Sequence, residues 1–356
     1  MKILFLVPYP IHEAPSQRFR FEQYFGILSK QGYSYQIQSF LEPKNWRLFF
    51  RAGNPLARAV ALLKGFSKRF FVLFRIISFD FIFIHREVTP IGPPVFEWLI
   101  AHVFRKKIIY DFDDAIWLTD RTNESRTLRV LKWRSKVKAI CRWSYRVSCG
   151  NNYLVLFAQQ FNSNVIHNPT TIDTEGLHNP KDRIKKNNFV TIGWTGSHST
   201  VKYLSYLETV VQHLEKIFPA LQFIVIADKP PQLNLSSISF IPWSRQHEMS
   251  DLCKIDIGIM PLPDDEWSKG KCGFKALQYM ALNIPVVASP VGVNVQIVDH
   301  GLNGFLAASK EEWVHRLLQL IEDEQLRYTM GQQGREKVIR NYSVNSNVYN
   351  FLTLFS

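Results

Sequence analysis

Residues 267–293, WSKGKCGFKALQYMALNIPVVASPVGV, place two glycines, two lysines and a short apolar run in an order suited to holding a phosphate. Gly270 and Gly273 permit tight backbone turns. Residues 274–282 then read as a helix whose first turn offers N–H groups and a positive dipole end to an anion, and Lys271 and Lys275 add mobile charge at the same place. Asn283, Ile284 and Pro285 end that helix, and residues 286–289 form a continuous apolar run of the kind buried on both faces of a sheet. The competing reading of the same residues is a solvated turn with surface lysines. A second concentration of chemistry is the acidic run Asp111, Asp113, Asp114 in KIIYDFDDAIW. Three carboxylates together repel one another, and adjacent Asp residues leaving a buried strand point to hydroxyl binding or proton abstraction, with helix capping by Asp114 as the alternative. His85-Arg86-Glu87 at the end of another strand, and Arg18 after the first, stand beside them in the pattern, while His198 reads as a surface histidine.

The elements that must position these residues alternate strand with helix. Strands are expected at 3–7, 35–40, 81–84, 107–110, 146–148 and 163–166, with helices at 18–31, 56–76, 93–104, 126–143 and 153–160. A second series of strands follows at 190–194, 223–227, 239–242, 257–260, 286–288 and 304–306, and the chain reads as helical from Glu311 onward. This is α/β with two doubly wound halves. Residues 1–170 form the first, 171–188 a polar linker rich in Asn, Asp and Lys, 189–338 the second, and 339–356 a closing helix that returns to the first. In such sheets ligands bind at the carboxyl ends of the strands, which places the glycine loop after residue 194 and the acidic run in one cleft.

The motifs in sequence order resemble the retaining GT-B glycosyltransferases of family four (glycosyl transferases group 1). The segments that carry the resemblance are MKILFLVPYP, KIIYDFDDAIW, NVIHNPTTID, FVTIGWTGSHST, DIGIMPLPDD, the glycine and lysine stretch, PVGV and GLNGFLA. They cover nearly the whole chain. The resemblance implies a GT-B fold of two Rossmann-like domains facing across a cleft, with a nucleoside diphosphate sugar held by the second and an acceptor by the first. It assigns donor binding to Gly196, Ser197, Lys202, Lys271, Gly273, Phe274, Lys275 and Gln278, acceptor binding to Arg18, Arg86 and Asp111, and catalysis to Asp113 and Asp114. No metal and no cofactor beyond the sugar donor are implied. The chain departs from the family pattern at three points. Ser197 stands where an Arg commonly precedes Lys202, Gln278 replaces a Glu that the family uses on the ribose hydroxyls, and Asp264, Asp265 and Glu266 lie several residues before the motif's first acidic position. An amide can still donate and accept at the ribose.

Composition bounds the remaining classes. A chain of 356 residues with 46% hydrophobic and 14% aromatic residues is globular and long enough for two cores. Cys141, Cys149, Cys253 and Cys272 show no metal-ligand spacing and suit a reducing compartment. The opening apolar run is too short for a signal peptide, and no window reaches the roughly 18 apolar residues of a membrane span. Charge is uneven: the net charge is +13, and nearly all the excess lies in the first half. Residues 44–79 and 126–146 each hold eight basic residues and no acid. Within the first run Leu56, Val60, Leu63, Phe70, Phe74 and Ile77 recur at helical spacing, with Lys64, Lys68 and Arg75 on another face. This is the composition of an interfacial anchor, and it predicts peripheral association with the anionic inner face of the cell membrane in the cytoplasm. The alternative is a helix packed on its own sheet.

The expected function is therefore transfer of a sugar, with retention, to a cell-envelope glycan or a lipid-linked acceptor. Two other classes fit parts of the sequence. Asp111 and Asp113 also match a metal-dependent phosphatase loop or the metal-binding Asp-x-Asp of another transferase fold, and the basic balance suits nucleic acid, although no nucleic-acid-binding module is recognisable and no such partner is expected.

Overall fold

The structure is a computed structural model that describes residues 1–50, 55–119, 125–180 and 189–356. Residues 181–188 of the expected linker, and Arg51 in the first basic run, lie outside the described residues. The chain divides into two compact units, one of Met1–Thr170 with Val348–Ser356 and the other of Thr171–Asn347.

The first unit is built on a parallel six-stranded sheet. Its strands are β1 (Lys2–Val7), β2 (Ser34–Ser39), β3 (Phe81–His85), β4 (Lys107–Phe112), β5 (Arg146–Cys149) and β6 (Val165–His167), in the order β2-β1-β3-β4-β5-β6. The central strands are apolar because both faces are covered: β3 is buried at every residue, and β1 and β4 at all but their first. In the second unit β7 (Thr191–Gly196), β8 (Gln222–Ala227), β9 (Ile238–Pro242), β10 (Ile257–Met260), β11 (Val286–Ala288) and β12 (Gly304–Leu306) pair in parallel in the order β12-β11-β10-β7-β8-β9. In each sheet the winding reverses once, between β1 and β3 in the first and between β7 and β10 in the second. Such reversals open a crevice at the carboxyl ends of the two strands.

Several helices differ from the sequence pattern. The expected helix at 18–31 is a turn at Pro15–Arg18 followed by Glu22–Tyr24 and Phe25–Lys30. The one at 126–143 breaks into Arg126–Leu131 and Lys136–Trp143, with Trp133 at φ 48° between them. The last stretch is interrupted where Ser343 forms a β-bridge with Ile172, leaving a short helix at Val348–Leu352 that belongs to the first unit. There Phe351 stacks on Tyr24, with ring centroids 4.2 Å apart.

The long basic helix forms as Pro55–Leu73. Its inner face buries Ala61, Gly65, Arg69, Val72 and Leu73. A Cβ on Gly65 would lie 2.5 Å from the Phe40 ring, so glycine is what lets this helix approach β2. Arg69 points inward and is fully buried. Its Nη2 donates to Val7 O (2.8 Å), Nη1 to Gln38 O (2.7 Å) and Nε to Val88 O (2.9 Å). Burial lowers its pKa to about 9. Gln38 closes the far side, its Oε1 accepting from Arg69 Nη1 at 2.8 Å.

Candidate functional site

In the second unit the site grows from how β7, β10 and the following helix pack. Gly258 in β10 is required by Tyr279: a Cβ there would meet the Tyr279 ring at 2.3 Å. Tyr279 sits in the helix Phe274–Ala281 and its hydroxyl accepts from Thr195 N at 2.8 Å, which fixes that helix against the end of β7. Burial raises the pKa of this phenol, so it stays a neutral partner. The next residue, Gly196, then lies under Lys275, since a Cβ on it would stand 2.8 Å from Lys275 Cε and 2.4 Å from the Trp194 ring. Lys275 Nζ rides 5.4 Å from the Trp194 ring centroid, a cation–π contact that holds the ammonium over the glycine loop.

The helix that carries Lys275 starts at Gly273, whose φ of 68° no L side chain adopts readily, and no side chain caps it. A Cβ on Gly273 would also run into Ile297 Cδ1 at 2.1 Å. Phe274 and Lys275 are half-buried in the first turn of this helix. The structure thus brings Gly196, Lys275 and the Gly273 helix start together. Lys271 lies over the Trp267 ring, 4.6 Å from its centroid. Ser197 bonds Ser199 through their hydroxyls at 2.8 Å, and Lys202 lies over Tyr203 at 5.4 Å.

Gln278 is buried. Its Nε2 donates to Glu248 Oε1 at 3.4 Å and lies 3.3 Å from His178 Nε2. The amide therefore works inside the unit, linking the helix to the residues after β9 and to the segment that opens the unit. Arg335 reinforces that link by donating to His178 O (3.0 Å), Thr174 O (2.9 Å) and Ala281 O. A pocket of about 440 Å³ opens at the carboxyl ends of β10, β11 and β12, lined by Pro261, Leu262, Pro263, Ser289, Pro290 and Trp313 among others, and Gly196, Gly273 and Lys275 are not part of its lining. His198, read from sequence as a surface residue, is half-exposed and paired with Asp228 through its Nδ1 at 2.6 Å.

In the first unit the acidic run separates into two parts. Asp111 lies in β4 opposite His85 of β3, fully buried. Its Oδ2 meets His85 Nδ1 at 2.8 Å, and its Oδ1 accepts from Ser148 Oγ at 2.6 Å and from Arg20 Nη2. Arg20 also donates to Asn168 O and to Ser148 Oγ (3.2 Å), and Asn168 Nδ2 donates to Ser148 Oγ at 3.1 Å. Burial works against the Asp111 charge, but Arg20 and His85 outweigh it and hold the carboxyl well below its usual range. An ionised Asp111 makes Nδ1 the protonated nitrogen of His85, and His85 Nε2 is buried with no hydrogen-bond partner among the described residues. Acceptor contact through Asp111, expected from sequence, does not suit a carboxylate so enclosed. Arg20 is the residue the sequence reading missed. Its signal is its place between Phe19 and Phe21, both buried, which turns the side chain inward.

Asp113 and Asp114 lie beyond the strand end and remain partly exposed. Arg86 bridges them, donating to Asp113 Oδ1 from Nε (3.0 Å) and Nη2 (2.7 Å) and to Asp114 Oδ2 from Nη2 (2.9 Å). Burial opposes the Arg86 charge, and the two carboxylates outweigh it, so its pKa stands well above the ordinary value. Arg86 adopts φ 61°, and its backbone is pinned by Tyr110, whose hydroxyl donates to Arg86 O at 2.7 Å. Tyr9, at the end of β1, is electrostatically coupled to the same group; burial raises its pKa, so the phenol stays protonated. Tyr9, Arg86, Asp113 and Asp114 therefore occupy the crevice end of the first sheet. Arg18 is largely buried, with its guanidinium 4.8 Å from the Phe19 ring centroid.

Two parallel sheets with helices, each reversing once, define the GT-B fold. Solved structures across the whole chain agree. A glycosyltransferase from Rickettsia africae superposes with a TM-score of 0.70 at 14% identity, covering 99% of this chain and 97% of that one. Sucrose-phosphate synthase from Thermosynechococcus elongatus gives 0.68 at 12% identity, covering 100% and 98%. Anabaena HepE, solved in complex with UDP and glucose, gives 0.62 at 16% identity, covering 99% of each chain. Residues 189–323, within the second unit, match the family model described as Glycosyl transferases group 1. An uncharacterised glycosyltransferase of Methanocaldococcus jannaschii is 39% identical over 66 residues, a stretch that spans 18% of this chain and 19% of the relative's length.

Proposed function

We propose that this protein is a retaining, metal-independent glycosyltransferase that takes a sugar from a nucleoside diphosphate donor. The observation that carries this reading is the meeting of Lys275, Gly196 and the uncapped helix start at Gly273. Glycine at position 196 lets the Lys275 chain and the Trp194 ring close over the loop, and the lysine with the helix dipole neutralises the charge that develops on the diphosphate as the glycosidic bond breaks. Lys271, Ser197, Lys202 and Phe274 complete the donor side, and the 440 Å³ pocket at the carboxyl ends of β10, β11 and β12 is assigned to the nucleoside. Gln278 supports the helix from within. UDP is the base form to test first, because HepE is solved with it.

The acceptor side is assigned to the first unit. Arg86 orients Asp113 and Asp114, which bind the acceptor hydroxyl and receive its proton as its oxygen forms the new bond to the anomeric carbon, on the face the diphosphate leaves. The acceptor is a cell-envelope glycan or a lipid-linked glycan, and the protein works in the cytoplasm, peripherally at the inner face of the membrane. The metal-dependent alternative on Asp111 and Asp113 loses its geometry, because Asp111 is enclosed by Arg20, His85 and Ser148 while Asp113 faces Arg86. The test is a screen of nucleotide sugars for slow hydrolysis by the pure protein with EDTA present, with the anomer first released read by NMR. Hydrolysis of one donor with retention supports the reading. Dependence on added Mg²⁺ overturns the metal-free mechanism, and binding of no nucleoside diphosphate overturns the donor site.

A further inference from the structure

The inner face of the Pro55–Leu73 helix packs inward, Gly65 against Phe40 and Arg69 against the carbonyls of Val7, Gln38 and Val88, yet its outer face and the turn that follows it expose an apolar stripe. Leu56 (74% exposed), Leu63 (66%), Phe71 (66%), Phe74 (70%) and Ile77 (69%) stand in solvent, and Val60 and Phe70 fill the same stripe. Phe70 contacts both Phe71 and Phe74, with centroids 5.8 and 5.4 Å apart, so the aromatics form one ridge. The ridge extends sideways. Phe66 lies 6.4 Å from Phe96, and the helical segment of residues 95–103 that contains Phe96 exposes Val95, Trp98 and Val103. A monomeric soluble surface rarely leaves so many large side chains contiguous and uncovered.

Charge decides what covers them. Lys64 and Arg75 flank the stripe, Lys68 beside them is paired with Glu42 Oε1 at 2.6 Å, and residues 44–79 themselves contain no acid. A second copy of this chain would bring the same positive charges against them, whereas an anionic lipid surface supplies the opposite sign and an apolar interior. We propose that this face is a bilayer-insertion surface, with Phe70, Phe71, Phe74 and Ile77 entering the acyl boundary of an anionic membrane and Lys64 and Arg75 lying at its headgroups. The proposal deepens the peripheral-membrane part of the proposed function by naming the surface and its partner. It also gives that surface a link to the acceptor side. Arg69 holds the carbonyl of Val7, two residues before Tyr9, and that of Val88, two residues after Arg86, so the helix seated on lipid is the one that fixes both loops of the acceptor crevice.

The test is co-sedimentation of the full-length protein with phosphatidylcholine vesicles, with and without phosphatidylglycerol, and without any sugar donor. Wild type should pellet with the anionic vesicles and stay in solution with the neutral ones. Phe70→Ser/Phe71→Ser/Phe74→Ser should weaken partition more than about tenfold. Lys64→Gln/Arg75→Gln should weaken it about thirtyfold at low salt, each near-surface cation contributing roughly fivefold. Both variants should keep the wild-type melting temperature, because the altered side chains lie outside the core. UDP calorimetry on the same samples keeps a failure of the donor site separate from a failure of this surface. Equal binding to neutral and anionic vesicles, unchanged binding of the phenylalanine variant, or a wild-type dimer that the variant converts to monomer would each overturn the proposal.

Discussion

Replacing Asp111 by Asn tests whether the ion network beneath the acceptor crevice holds the first unit together. The Asp111 carboxylate and the Arg20 guanidinium are both 0% exposed, so neither charge has water to fall back on. The carboxylate accepts from Arg20, from Ser148 and from His85, which is more donors than one amide oxygen can serve. An Asn at this position turns an NH₂ group toward at least one of those donors and leaves the guanidinium without a counter-charge. Breaking a buried pair from one side costs about 3–5 kcal/mol, against a total stability on the order of 5–15 kcal/mol for a domain. Ser148→Ala removes the hydroxyl's bonds to Asp111, Arg20 and Asn168 but leaves the Arg20–Asp111 ion pair in place; it should cost about 1.5–3 kcal/mol, less than Asp111→Asn, and separates loss of the counter-charge from loss of hydrogen bonds. A two-unit chain need not unfold in one step, so the readout is amide hydrogen exchange of β3, β4 and β5, whose opening free energies report this unit alone.

The acid limb gives an independent check. The folded pKa of Asp111 lies below its unfolded value of about 3.9, so its contribution is fully present above roughly pH 5 and is lost as pH falls through the unfolded value toward the folded one. The Asn variant lacks this limb, and the gap between it and wild type should narrow with acid. Protection within about 1 kcal/mol of wild type at pH 7 would refute the reasoning, since it would mean that the buried guanidinium needs no partner.

The other predictions concern the two sites and the packing that supports them. Lys275→Ala should weaken UDP binding by about 1.5–3 kcal/mol, the scale of a hydrogen bond to a charged group, and unchanged affinity by calorimetry for UDP, GDP and ADP, where wild type binds one of them, would remove Lys275 from the donor site. Of Asp113→Asn and Asp114→Asn, at least one should lose transfer while donor binding persists, because the donor is assigned to the other unit; full transfer rates in both would sink the acceptor assignment. Gly258→Ala should destabilise the second unit by about 1–3 kcal/mol, because its Cβ meets the Tyr279 ring, and a melt that shows no loss would mean that the ring moves freely.

The strands were legible in the sequence because central parallel strands must be apolar on both faces, and β1, β3, β4, β7, β10 and β11 read as such runs. The close approaches made at two of their glycines, Gly193 to Ile255 and Gly258 to Tyr279, come from the structure alone. The helix breaks were not legible: at Trp133 the chain turns with a positive φ and without glycine or proline, so no local residue announces it. The inward Arg20 and Arg69 were hidden for a different reason. A basic residue in an amphipathic pattern is read as solvated, and its burial depends on carbonyls and a carboxylate supplied by strands far away in sequence.

The acidic run shows most directly where sequence reasoning stops. Asp111, Asp113 and Asp114 are near neighbours in the chain, and nothing in their types separates them. Strand register does. Asp111 stands within β4, in its last pairing with β3 opposite His85, and keeps the sheet's burial, so it meets the cation that comes from within, Arg20. Asp113 and Asp114 fall past the strand end and meet Arg86, whose own backbone is turned outward at φ 61° by its place after β3. The same side-chain chemistry is thereby divided between a buried charge that stabilises the unit and a partly exposed pair available to a ligand. The division is made by two arginines, one inside and one at the rim, and a ligand hydroxyl can compete only for the carboxylates held by the second.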